Sequence, residues 1–354
     1  MMDTLVDENV NKDKGRLMLP PVLFGTSGLG NLFVSLEASA KRAIVKACVD
    51  LSPHPVVFDS AGKYGAGLAL EVLGSSLRSL NVPPDQVIIS NKLGWYRTEL
   101  KTESPTFEPG IWMDLKNDAV QKISYEGILA CFEQGNALLN GYIPQMVSVH
   151  DPDEYLAKAE NEAHFQSLYH NVLEAYRALI GLKEAGVVKA VGVGAKNWKV
   201  IRQIAADVDL DWVMIANSMT IKQHPQDLLE FISGLHEKGV LVINSAVFHS
   251  GFLVGSNYYD YQLLNPNAPE TKELYAWREA FFHLCADYHL RPATVCVQFA
   301  WKIPGVSSVA LNTTAAHRVK ENLEHIHADI PAAFWEKMIL AGLLEPDFHR
   351  LLVP

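Results

Sequence analysis

The sequence predicts an α/β fold, a closed (β/α)8 TIM barrel with long loops at its C-terminal mouth. Three observations predict it. Short β-rich runs alternate with longer helical patterns from one end of the chain to the other. The runs are nearly continuous in apolar residues (VVF, VII, VGV, VLVI), as parallel strands buried on both faces under a helical layer must be. Over 354 residues there are eight such units, which close most economically into a barrel. An open doubly wound sheet is the alternative.

In order, strands are expected at 22–26, 56–61, 87–92, 146–151, 190–195, 212–217, 240–246 and 307–311. Between them, apolar residues recur at three- and four-residue spacing over 37–51, 68–80, 165–185, 228–238 and 315–326, which predicts helices. Gly186 and Gly239 follow two of these directly and suit helix C-termini. Two segments break the spacing, 94–124 after the third strand and 248–267 after the seventh. They lack helical periodicity and carry Trp95, Trp112, Tyr258, Tyr259 and Tyr261. Long loops in a compact domain are usually functional or disordered, and these would sit where a barrel builds its active site. They are read as a cover for substrate or cofactor. No repeat or linker interrupts the chain, so residues 20–354 are expected to form a single domain behind a polar N-terminal extension, 1–19.

Composition narrows the function. A formal net charge of −10 argues against a nucleic-acid partner or an anionic membrane surface, both of which need concentrated basic charge. The N-terminus has no apolar signal-peptide region, and no apolar run approaches the roughly 18 residues that span a bilayer. Cys48, Cys131, Cys285 and Cys296 lack metal or redox spacing and are expected to pack as small hydrophobes in a reduced, cytoplasmic protein.

The ionisable residues then fall on one rim. Asp59 ends the second strand, Tyr64 follows it, Lys92 ends the third and His150 the fourth. A phenol is a poor acid or base near neutrality, its unperturbed pKa being about 10. A neighbouring ammonium stabilises the phenolate, and a carboxylate holds that ammonium in place. Tyr64, Lys92 and Asp59 supply such a relay, and His150 can orient a reacting oxygen. Taken singly, each has a plainer role: a cap for Asp59 or His150, a solvated stem for Lys92, a packed ring for Tyr64. Four compatible residues at three consecutive strand exits outweigh those readings. His325 and His327 are two apart on a helix and share no face, so no metal site is expected. His249 is read as a water-exposed loop residue.

Four ordered motifs, DSAGKYG (59–65), SNKLG (90–94), VHDPD (149–153) and VGVGAKN (191–197), resemble those of the aldo-keto reductases, over about 20–325. The resemblance implies Tyr64 as general acid/base, Lys92 and Asp59 as its tuners and His150 as the substrate-orienting residue. The 94–124 insertion, ISYEG (123–127) and VFHSGFL (247–253) further resemble the sugar-oxidising branch, with D-threo-aldose 1-dehydrogenases, L-fucose dehydrogenases and pyridoxal 4-dehydrogenases.

No Rossmann fingerprint is present, and GTSGLG (25–30) and GKYGAG (62–67) read equally well as tight strand-exit turns. The resemblance implies instead a nicotinamide cofactor extended across the barrel mouth. Asn197 and Asn217 would hold its amide, Ser250 and Leu253 would meet the pyrophosphate, and Arg318 and Asn322 the adenosine end. Trp95, Trp112 and Phe248 would contact substrate. Met219 stands where many relatives place an aromatic residue to stack on nicotinamide, and Asn312, Thr313 and Thr314 stand where NADP-preferring relatives carry Lys or Arg. NAD is therefore expected, with NADP the alternative.

The expected reaction is oxidation of the anomeric carbon of an L-fucose, D-arabinose or L-galactose type aldose to a lactone. Reduction of small aldehydes and pyridoxal oxidation are rivals on the same residues. A cofactor-sensing binding protein and a metal-dependent hydrolase are alternatives of other classes. The partner is a small sugar or aldehyde.

Overall fold

A computed structural model of the chain describes residues 17–352. In chain order its strands are β1 (Val22–Gly25), β2 (Val56–Ala61), β3 (Val87–Leu93), β4 (Trp95–Glu99), β5 (Asn117–Gln121), β6 (Met146–His150), β7 (Ala190–Ala195), β8 (Trp212–Ala216), β9 (Leu241–Ser245), β10 (Tyr258–Tyr259), β11 (Gln262–Leu263) and β12 (Val306–Asn312). Among the described residues, eight of these strands close a parallel barrel in the order β1-β12-β9-β8-β7-β6-β3-β2. The fold is a (β/α)8 TIM barrel, and the open doubly wound sheet is excluded by the β1–β12 pairing that shuts the ring.

The outer layer includes α1 (Ala38–Leu51), α2 (Leu68–Ser79), α3 (Tyr125–Leu138), α4 (Pro152–Leu156), α5 (Glu162–Glu184), α6 (Trp198–Asp207), α7 (Gln226–Glu237), α8 (Lys272–Asp287), α9 (Pro292–Lys302) and α10 (His317–His325). At α5 a side-chain cap explains a start that differs from the expected one. The Asn161 side chain accepts from the His164 N–H, so α5 begins three residues before the apolar periodicity does. Ser124 caps α3 in the same way, accepting from Gly127 N–H.

Successive side chains of a strand face opposite ways, and this period of two organises the barrel. Val56, Phe58, Val87, Ile89, Val309 and Leu311 face outward into one apolar layer with α1 and α2. Leu23, Val57, Ile88, Met146, Ala190, Trp212, Met214 and Ile243 form a separate interior cluster that floors the barrel. Two or four residues further along the same inward rows come Gly25, Asp59, Lys92, His150, Gly194, Ala216 and Ser245, which line the cavity above that floor. The apolar floor keeps water from entering below, so polar side chains at the strand ends are reached only from the C-terminal mouth.

The segment expected to be a loop at 94–124 is partly regular: β4 and β5 pair antiparallel, from Trp95↔Gln121 to Glu99↔Asn117. Gln134 of α3 clamps the ribbon, its amide oxygen accepting from Arg97 N–H and its NH2 donating to Arg97 C=O. The 248–267 segment contains a short 3-10 turn (Phe252–Val254) and the β10–β11 hairpin. Of the expected extension 1–19, residues 1–16 lie outside the described residues, as do 353–354; Leu17 and Leu19 pack against the barrel floor. The four cysteines are buried free thiols. Among the described residues no helix is long and apolar enough to cross a membrane.

Candidate active site

Asp59, Lys92 and His150 stand at the upper ends of inward rows, Asp59 with Ala61 still beyond it, and each is almost completely buried, at 3%, 2% and 4% exposure. The Lys92 ammonium donates to Asp59 Oδ2 at 2.5 Å and to the Ser60 carbonyl at 3.3 Å, and Ser90 Oγ donates to the other Asp59 oxygen at 3.2 Å. Tyr64 arrives from the turn after β2. Two glycines set that turn: at Gly65, φ is +61° and an added Cβ would lie 2.3 Å from the Gly30 carbonyl oxygen. GTSGLG and GKYGAG therefore pack backbone on backbone and bring the Tyr64 ring over the pair. Lys92 Nζ lies 4.7 Å from the ring centroid, and His150 meets the ring edge-on at 5.5 Å and 83°.

This geometry changes one expectation. The Lys92 ammonium was to lower the Tyr64 pKa, but burial, then the negative charge of Asp59, with Tyr261, Asp151 and Glu108 beyond, hold the phenol well above its ordinary value of 10.0. Asp59 holds the ammonium that was to favour the phenolate, and Asp59 itself favours the phenol. His150 is driven the other way, well below 6.5, by burial and by Lys92, Lys63 and Lys196, against the opposing pull of Asp151. Its imidazole is neutral, and its Nδ1 is buried with no partner among the described residues.

Beside the four stands a charged wall that sequence reasoning missed. Lys63, 3% exposed, pairs with Glu108 at 2.8 Å, Asp151 at 2.9 Å and Glu154 at 2.8 Å. Lys196 pairs with Glu154 at 2.6 Å and lies 4.6 Å over the Tyr261 ring. Burial opposes the charge on Lys63, but Asp151, Glu108 and Glu154 outweigh it and raise its pKa. At Asp151 burial is likewise opposed by the Lys63 and Lys196 ammoniums and the hydrogen bond from Lys63, which hold the carboxyl below its ordinary value. Lys63, Asp151 and Lys196 lay inside the quoted motifs, adjacent to Tyr64, His150 and Asn197. Glu108 carried no comparable signal; it comes from the far turn of the ribbon, where Trp112 Nε1 donates to it at 2.6 Å.

All four candidate catalytic residues line one cavity of about 700 Å³ at the barrel mouth. Ser250, Arg318, Asn322, Trp112 and Phe248 line it as well. The others do not. Asn197 is exposed, and its side chain caps α6 by accepting from Lys199 N–H at 3.1 Å. Leu253 and Met219 are 0% exposed in the apolar core, so neither meets a pyrophosphate or a nicotinamide ring. Trp95 stands behind Lys63 and against Phe107, off the cavity wall. Asn217 is buried just past Ala216 with its Oδ1 unpartnered among the described residues, and it too is absent from the wall. His249, expected in water, is 0% exposed: Nε2 meets Thr220 Oγ1 at 2.7 Å, Nδ1 meets Asp260 Oδ1 at 2.8 Å, and its ring stacks on Tyr259. His325, the last residue of α10, lines the cavity, while His327 lies past the helix end and is exposed.

The cavity's residues fit an extended dinucleotide. From the four residues it runs past Ser245, Ser250, Gly251 and Ser256 to Asn312, Thr313, Thr314, Arg318, Glu321 and Asn322. Asn322 Nδ2 is a buried donor with no partner among the described residues, which a bound base or ribose would satisfy.

Comparison with known proteins identifies the family and the fold. The model of the aldo/keto reductase family matches residues 21–339. The pyridoxal 4-dehydrogenase of Microbacterium luteolum is 26% identical over 332 residues, 90% of this chain and 93% of that protein. The D-threo-aldose 1-dehydrogenase of a Pseudomonas species is 25% identical over 341 residues, 93% and 95% of the two chains. Among solved structures, the holo form of an aldo-keto reductase from Bacillus halodurans superposes with a TM-score of 0.66 at 17% identity, covering 92% of each chain.

Proposed function

The chain belongs to the aldo/keto reductase family and is an NAD(P)-dependent oxidoreductase; from that premise we propose that it oxidises the anomeric carbon of an L-fucose, D-arabinose or L-galactose type aldose to a lactone with NAD, on Tyr64, Lys92, Asp59 and His150. The observation that carries this reading is the buried Asp59–Lys92 pair under the Tyr64 ring, with neutral His150 at its edge, at the inner end of the cavity.

The nicotinamide, when bound, supplies the two-electron acceptor. Tyr64 Oη accepts the anomeric hydroxyl proton in oxidation and returns it in reduction. Lys92 stabilises the phenolate that this requires, and Asp59 fixes the ammonium in place. Neutral His150 orients the reacting oxygen by hydrogen bonding. Ser250 and Ser256, which line the cavity, would meet the middle of the cofactor, and Arg318 and Asn322 its adenosine end. Asn312, Thr313 and Thr314 offer no cation to a 2′-phosphate, which supports NAD over NADP; Arg318, on the same wall, is the cation that NADP would have to use.

Carbonyl reduction on the same four residues is the second reading, favoured by the firmly protonated Tyr64. Pyridoxal is the substrate that the name of one relative suggests. Nicotinamide turnover with L-fucose, D-arabinose, L-galactose and pyridoxal, each with NAD and NADP, separates these. The proposal expects sugar oxidation with NAD and weaker binding of NADP. Turnover of pyridoxal alone, or much tighter binding of NADP than of NAD, would sink it.

A further inference from the structure

The four candidate catalytic residues do not account for the charged wall next to them. Burying the Lys63 ammonium and the Asp151 carboxylate is expensive, and apolar side chains of like volume would serve stability as well or better; Glu108, Glu154 and Lys196 around them stay partly exposed. The wall therefore has another use, and its unspent hydrogen-bonding capacity says which.

Lys63 has three ammonium protons and three carboxylates at 2.8–2.9 Å, so it has none to give a ligand. It acts as a knot that fixes Asp151 and Glu108. Asp151 engages Oδ2 alone, with Lys63 Nζ at 2.9 Å and His150 Nε2 at 3.5 Å, and a carboxylate accepts about four hydrogen bonds, so Oδ1 is left to accept from a ligand. Lys196 gives one proton to Glu154 and lies over Tyr261, leaving donor capacity. Asp151 and Lys196 both line the cavity, and Asp151 is next in sequence to His150. A fixed acceptor and a fixed donor side by side match a vicinal diol, each hydroxyl of which donates and accepts. The wall's charges nearly cancel, two positive against three negative, which disfavours an anionic ligand.

We propose that Asp151 and Lys196, held by Lys63 and Glu154, read the hydroxyls of an uncharged polyhydroxylated substrate on the carbons next to the reacting one. The proposal rests on the redox reading of the same cavity but not on anomeric oxidation as such. Lys63 is a positioning residue.

The test compares DL-glyceraldehyde with propanal in nicotinamide-driven reduction, since the two differ only by two hydroxyls. The wild-type ratio of kcat/KM is expected to favour glyceraldehyde at least tenfold. D151N and K196M should each lower that ratio about tenfold, chiefly through KM for glyceraldehyde; a ratio cancels any general loss from altered folding. K196M keeps the buried Lys63–Asp151 pair and so guards against a D151N that folds poorly. An unchanged ratio in both variants, or no wild-type preference, overturns the proposal. Retained preference without any sugar oxidation would instead overturn the aldose reading and leave this one standing. Quenching of tryptophan fluorescence by L-fucose gives the contrast without turnover, because Trp112 lines the cavity; quenching that is absent, or equal in wild type and D151N, also counts against it.

Discussion

At the residue scale, Tyr64 and His150 are driven to opposite protonation extremes by one environment. Burial disfavours any charge, so the phenol keeps its proton and the imidazole does without one. A direction-dependent pH profile follows. Oxidation needs the Tyr64 proton gone, and a pKa above 10.0 means that the deprotonated fraction is small at neutrality and grows with pH. The oxidation rate is expected to climb through pH 7–9 about tenfold per unit at its steepest, while reduction, which needs the phenol, stays level. Rates in both directions across that range check it, and an oxidation rate that is flat or falls with pH contradicts it. Asp59, Lys92 and His150 were legible because each sits in a motif at the end of an apolar run, on an inward row, and Tyr64 because it lies in the same motif as Asp59, three residues past β2. Asn197 and Leu253 were misplaced because beyond the last strand residue the period of two no longer fixes which way a side chain faces. There Asn197 answers to its preference for a helix cap, and Leu253 to its preference for the core.

At the element scale, apolar runs on a parallel sheet leave little ambiguity, and β2 and β7 occupy the residues expected of them. The insertions were less legible. The β4–β5 ribbon has little apolar alternation, and its paired residues lie from 18 (Glu99↔Asn117) to 26 (Trp95↔Gln121) positions apart in sequence, with Gln134 clamping Arg97 from α3. The 248–267 segment is pinned by side-chain contacts without sequence periodicity: His249 bridges Thr220 and Asp260, while Phe33 stacks on Tyr258 at 4.2 Å and meets Tyr261 at 6.0 Å. His249→Ala leaves Asp260 and the buried Thr220 short of a partner. A stability loss of about 1–3 kcal/mol is expected in denaturant unfolding, with a raised KM as Tyr261 loses its support. Unchanged stability and KM would show that the bridge is incidental.

At the scale of the whole molecule, the barrel is a floor and a rim: the apolar cluster from Leu23 to Ile243 closes one end, and the polar ends of the same rows open into the cavity. Periodicity predicts that division, whereas the cavity's far wall is assembled from Glu108 and Tyr261 on loops and Glu321 on α10, residues far apart in sequence, and is visible only once the chain is folded. The central claim is that this rim carries nicotinamide chemistry through one transferable proton on Tyr64. Aldose oxidation with NAD by the wild type and Tyr64→Phe tests it most directly, because the substitution keeps the ring and removes only the hydroxyl. The account predicts sugar-dependent reduction of NAD by the wild type and a loss of about 10²–10⁴-fold in kcat in the variant, with NAD affinity largely retained. A variant that turns over within a few-fold of the wild type would contradict it.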